Sequence, residues 1–165
     1  FNFHRRNKAF TRFTMLDTIP VYVRFDYSMD FKLTKMEPMI HDLEVFTDVC
    51  QLPSHIIEHI KYCCIEMCNS IGKKRLRSNI RYFDISFIET DDGFRLIIKD
   101  NGSPDNPLKY DSELAENVRS QDYVPTERDT CLYLIHNLSD KVSYNYVFGM
   151  NITIIDWFKF CVLPA

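Results

Sequence analysis

The sequence predicts an α+β protein, a two-layer α/β sandwich whose mixed, mostly antiparallel sheet carries its helices on one face. Three observations lead there. Alternating, β-branched and aromatic segments flank tight-turn signals at Asp91-Asp92-Gly93 and at Gly149, the pattern of β-hairpins. Two segments before the first hairpin repeat or cluster apolar residues at helical spacing, and a shorter helical segment precedes the second. The resulting order is strand, two helices, two strands, loop, helix, two strands, which suits helices packed against one face of an antiparallel sheet. With 165 residues, 45% of them apolar and 14% aromatic, the chain reads as a single globular domain that buries a core without staples.

Taken in order, "VYVRFDY" at 21–27 alternates and reads as a strand. Apolar positions 36, 39, 40, 43, 46 and 49 form a helical stripe over 33–51, with Pro38 early enough for a first turn to tolerate it. "LPS" breaks the chain, and Ser54 is the expected N-cap of a second helix that reaches Ile71 or Gly72. "IRYFDISFIET" and "FRLIIKD" follow as the first hairpin. The polar stretch 109–128 has little periodicity and is long enough to predict a functional loop. A helix near 130–139 and the strands "KVSYNYVF" and "NITIIDWFKF" complete the chain.

Charge is uneven. "FNFHRRNKAFTR" holds Arg5, Arg6, Lys8 and Arg12 with no acid, while the chain as a whole carries −3, so nothing global favours nucleic acid. Residues 1–16 are set apart as a basic arm and 17–165 as the domain. The arm's cations beside Phe1, Phe3, Phe10 and Phe13 suit a juxtamembrane segment drawn to anionic lipid, and equally a solvated tail. No apolar run approaches the roughly 18 residues of a membrane span, and no signal peptide is present. A chain starting at Phe reads as a piece of something longer. Six cysteines, at 50, 63, 64, 68, 131 and 161, form no C-x-x-C pair, which predicts reduced thiols in a cytoplasmic setting.

The second helix holds two candidate sites. His55 and His59 with Glu58 spell H-x-x-E-H, the spacing of a zinc protease helix. Three fixed letters are common by chance, and no later acidic helix offers a third ligand, so this reading is set aside for solvent-facing or capping histidines. The other candidate is Glu66-Met67-Cys68-Asn69-Ser70. On a helical wheel Ile57, Ile60, Cys64, Met67, Cys68 and Ile71 make the core face, whereas His55, His59, Tyr62, Glu66 and Ser70 gather opposite.

A Glu-bearing helix, a hairpin, Asp100-Asn101-Gly102 with Pro104 and Pro107, then loop, helix and closing hairpin, resembles a known family. It is that of the histidine-kinase, gyrase and Hsp90 (GHKL) ATP-binding domain, with its Bergerat-type fold. The likeness covers about 33–157. It is nearest the anti-sigma-factor serine kinase branch, and within it the cytoplasmic domains fused to MATE-type transporters, which carry E-E-M-x-x-N. The resemblance implies ATP and Mg²⁺ as ligands, Glu66 as the catalytic base, Asp100 as acceptor for the adenine amino group, and Gly102 as the glycine that lets the base approach. It puts Mg²⁺ at Ser70, where the family has asparagine, or at Asn69, about 100° round the helix. It puts the triphosphate against the segment Asp129-Thr130-Cys131-Leu132, where the family has glycines that open the backbone to phosphate.

Both departures strike the phosphate and metal end. Two functions stay open. One is a regulatory module with degenerate or weakened nucleotide binding that senses a ligand or binds a protein partner. The other is an active ATP-dependent serine/threonine protein kinase. A homodimer and the soluble domain of a membrane protein complete the expectations.

Overall fold

A computed structural model describes residues 24–29, 35–75, 83–108, 124 and 126–158. Its elements are β1 (Arg24–Met29), α1 (Met36–Val49), α2 (Ser54–Arg75), β2 (Phe83–Glu89), β3 (Gly93–Asp100), α3 (Glu127–Leu138), β4 (Lys141–Val147) and β5 (Met150–Phe158). The strands form one sheet in the order β1-β2-β3-β5-β4. All four described pairings are antiparallel, the antiparallel extreme of the mixed sheet expected. The basic arm and most of the polar stretch 109–128 lie outside the described residues, as does Cys161.

Strand alternation sends every second side chain to the same face. Phe83, Ile85 and Phe87 of β2, Phe94, Leu96 and Ile98 of β3, and Ile155 and Trp157 of β5 are thereby buried beneath the helices. Met39, Leu43 and Phe46 of α1 and Ile60, Cys64, Met67, Cys68 and Ile71 of α2 close on them from above. Phe46 sits at the centre, with ring centroids 5.3 Å from Phe94, 6.2 Å from Phe25 and 6.5 Å from Phe87. Each such ring removes from water surface worth roughly 1.5–3 kcal/mol. Ile57, expected in the core, is only half-buried, while Cys63 is fully buried because α3 covers that side of α2.

Element ends show local chemistry that the apolar pattern does not carry. α1 stops where Gln51 takes a left-handed backbone (φ 54°). There Gln51 N–H donates to Asp48 and Leu52 N–H to Thr47, the paired contacts of a Schellman ending. α2 starts one residue earlier than expected. The Pro53 carbonyl accepts from Ile57 N–H, so Ser54 is its first helical residue rather than its cap. α2 also runs past Gly72 to Arg75, with its turns held against α1 and α3. α3 begins at Glu127, three residues before the expected start, because Thr126 and Asp129 cap it.

The two hairpins turn differently. Phe148 and Gly149 both have positive φ, as a two-residue primed turn requires, and Phe148 stands fully exposed at the tip. In the first hairpin the turn is Asp91-Asp92, and Thr90 and Gly93 exchange both backbone hydrogen bonds. Gly93 is already in β3, and its lack of a side chain serves close approach. A Cβ there would stand 1.9 Å from the Trp157 carbonyl oxygen of β5. Gly93→Ala should therefore force the β3–β5 pairing apart and cost about 1–3 kcal/mol, read as a lower urea midpoint. Unchanged stability would mean that the strands separate there freely.

Candidate functional site

The helix-facing side of the sheet changes character along its length. At one end it is Phe94, Leu96, Ile155 and Trp157. At the other, positions of the same parity are Asp100, Asn151, Thr153 and Tyr144. Register brings them together, since Asp100 pairs with Asn151 and Thr153 with Tyr144. A polar patch thus lies at the end of an apolar layer, under the later turns of α2 and the first turns of α3.

A small cleft opens over this patch. Its walls are Met67, Ser70 and Ile71 of α2, Asp100 and Thr153 of the sheet, Asp105 and Pro107 of the loop after β3, and Arg128, Cys131 and Leu132 of α3. Of the residues proposed from sequence, Asp100, Ser70 and Cys131 meet there. Glu66, one turn before Ser70, and Asn69 are half-buried and do not line the cleft. Thr130 is exposed and turns its hydroxyl to the Thr126 carbonyl, 3.2 Å away in its own helix. Asn101 is half-buried beside the buried Gly102.

Asp100 is held from one side only. Its Oδ1 accepts from Gly102 N–H and from Asn151 Nδ2, both at 2.8 Å. Its Oδ2 has no hydrogen bond among the described residues. The Gly102 contact is an Asx turn, which sequence alone makes natural after a strand. The Asn151 contact is not local. Asn151 is 3% exposed, and five hydrogen bonds converge on it. Its Nδ2 reaches Asp100, Gly102 O at 3.3 Å and Ser103 O at 3.1 Å, while its Oδ1 accepts from Asp105 N–H at 3.1 Å and Tyr144 Oη at 2.6 Å. The Tyr144 phenol is pushed up by burial, and then by the Asp100 carboxylate and Tyr146. It therefore stays a donor through neutral pH. Its contribution is whole below the unfolded value of about 10 and is lost as pH rises from there through the higher folded one.

The first turn of α3, where the resemblance implies a triphosphate contact, is closed by its own side chains. Thr126 and Asp129 form a capping box, Thr126 N–H and Oγ donating to Asp129 Oδ2 at 2.7 and 2.6 Å, and Asp129 N–H donating back to Thr126 Oγ at 3.2 Å. Asp129, which falls where the resemblance puts the triphosphate, is engaged in this cap. The same cap occupies an N–H group that an incoming anion would otherwise meet. Arg128 ion-pairs with Asp105 across the cleft. Two thiols of the core hold their protons: Cys63 is pushed up to about 12 by burial and then by Cys131, and Cys64 well above the usual thiol range by Cys68 and by full burial.

Sequence reading missed Asn151, Thr153, Tyr144, Asp105 and Arg128. For the first two a signal existed: in Asn151-Ile152-Thr153-Ile154-Ile155-Asp156-Trp157 the inward parity is polar for two positions and apolar for the next two. His55 is exposed, the His55 and His59 rings lie 6.0 Å apart, and no group of three or more His, Cys, Asp or Glu side chains among the described residues could hold a metal ion.

Asn151→Ala should cost about 2–3 kcal/mol in chemical denaturation, since it strips partners from several buried groups at once. A loss below about 0.5 kcal/mol would mark the network as ornamental. His55→Ala should stay within about 0.5 kcal/mol of wild type, and elemental analysis of purified protein should find no stoichiometric zinc. Stoichiometric zinc that this substitution removes would restore the metal reading.

No curated protein matches the chain. Family comparison does: the profile of the histidine kinase-like ATPase domain matches residues 29–157, from the end of β1 to Trp157 in β5. With sheet, covering helices and polar cleft in the order that domain requires, the chain belongs to the histidine kinase-like ATPase domain family.

Proposed function

We propose that this domain is a regulatory module that recognises the adenine end of a nucleotide and has lost most of the machinery for phosphate and metal. The observation that carries the reading is the half-occupied carboxylate of Asp100. One oxygen is fixed by Gly102 and Asn151, which leaves the other for a ligand in the cleft that Asp100 lines, at little further cost in side-chain freedom. An exocyclic amino group is a donor of the right kind for it. The Thr153 hydroxyl lines the same cleft and adds a second polar contact for a base.

The metal end fits poorly. Of Ser70 and Asn69, only Ser70 lines the cleft, and a lone hydroxyl is a weak Mg²⁺ ligand. Glu66 stands back from the same space. Phosphoryl transfer depends on positioning and charge neutralisation, which these residues supply only in part. The domain then acts on a protein partner through occupancy of its cleft rather than through chemistry. A cytoplasmic location as part of a larger membrane protein, with the basic arm at the lipid surface, is the setting we infer from the arm and from the likeness to transporter-fused domains.

Calorimetry with adenosine, ADP and ATP, with and without Mg²⁺, tests the reading. Adenosine should bind, with the phosphates and Mg²⁺ adding little. Asp100→Asn keeps an acceptor for Gly102 and Asn151 but presents a donor to the base. It should weaken adenosine by about 1.5–3 kcal/mol, roughly 10- to 150-fold. Tight ATP binding that requires Mg²⁺ would overturn this reading in favour of an ATP-dependent kinase.

A further inference from the structure

The cleft as it stands holds about 20 Å³, room for about one water. Sites that take ligands of nucleotide size run from about 300 Å³ upward. The cleft must widen to take a nucleotide, and at its Arg128 end an ion pair joins the two walls. Asp105, in the loop after β3, forms an ion pair through Oδ1 with Arg128 Nη2 in the first turn of α3, and both side chains line the cleft. Asp105 is braced from the sheet side, its N–H donating to Tyr144 Oη and Asn151 Oδ1 at 3.1 Å each. Arg128 is braced from the helix side by the capping box that starts α3. Their side chains are 21% and 27% exposed, so the pair is partly open to solvent.

We propose that Asp105 occupies, on Arg128, the place of a nucleotide phosphate, so that the ion pair is a latch holding the phosphate end of the cleft shut. The proposal rests on the adenine reading above and deepens it, because it names the residue that would receive the phosphate. Arg128 is the cationic side chain among the described residues lining the cleft. A guanidinium fork donates to carboxylate and to phosphate oxygens in similar geometry, so one anion can replace the other without leaving the cation bare. While Asp105 holds Arg128, an incoming phosphate meets a carboxylate whose partner is already taken. Phosphates then add nothing to binding of the wild type. Once Asp105 is withdrawn, by substitution or by a partner that pulls on the loop after β3, the domain discriminates nucleotide from nucleoside.

The test compares the whole chain as wild type, Asp105→Asn, Arg128→Gln and the double variant, with adenosine and ADP as titrants in low-salt buffer without Mg²⁺. Denaturant unfolding of each variant reports that it is folded, and Asp105→Ser replaces Asp105→Asn if the latter is not. Wild type should bind the two titrants alike. Asp105→Asn should leave adenosine unchanged and tighten ADP about tenfold. The double variant should bring ADP back to the adenosine level, showing that the gain comes through Arg128 and not from mere loss of a repelling charge. An unchanged ADP-to-adenosine ratio in Asp105→Asn, with adenosine still bound, overturns the latch alone. So does a gain that survives in the double variant. If neither titrant binds wild type or Asp105→Asn, the adenine reading falls and takes the latch with it.

Discussion

The rest of the site depends on the buried side chain of Asn151. An amide in this position has two donors and one acceptor group, and each meets a different segment: the end of β3, the loop that follows it, and β4. Buried at the end of an otherwise apolar sheet layer, the amide is stable only if all are satisfied together, because an unpartnered polar group in that place costs about 1–3 kcal/mol. The loop after β3 therefore has little freedom. Asp100 is oriented, Gly102 is pulled in, and Asp105 is brought opposite α3 by one constraint.

The apolar half of the sheet does the complementary work. Phe46, Phe87 and Phe94 lock α1 onto β2 and β3, and the indole of Trp157 donates to the carbonyl of Leu138 at the end of α3. α3 is thus fastened at its C-terminal end by the core and at its N-terminal end by Thr126, Asp129 and the Arg128–Asp105 pair. Side chains satisfy the first turn of this helix internally, through the capping box of Thr126 and Asp129. Each capping contact is worth about 1 kcal/mol, and it fixes where the helix begins.

Much of this was legible in the residues. Hydrophobic period placed all eight described elements, because alternation and helical spacing are imposed by which faces are buried. Boundaries drifted where backbone chemistry rather than burial sets the end. Gln51 adopts a left-handed conformation usually left to glycine, Pro53 lends its carbonyl to the start of α2, and Thr126 begins α3 earlier than its apolar stripe does. Asp100 could be found because Asp-x-Gly is a local motif whose turn closes on itself. Asn151, fifty-one positions away, could not, because nothing local distinguishes an asparagine that will be buried from one that will not.

By itself, then, the sequence determined the layers: which segments alternate, which wind, which side chains must leave water, and where an acidic turn ends a strand. Tertiary structure alone decided which polar groups share one end of the sheet and which do not. It joined Asp100, Ser70 and Cys131, left Glu66 and Asn69 outside the cleft, and set Arg128 against Asp105. The reason is that burial follows a short-range period that can be read along the chain. Hydrogen-bond and ion-pair partners are fixed by strand register and helix placement, which only the folded chain establishes.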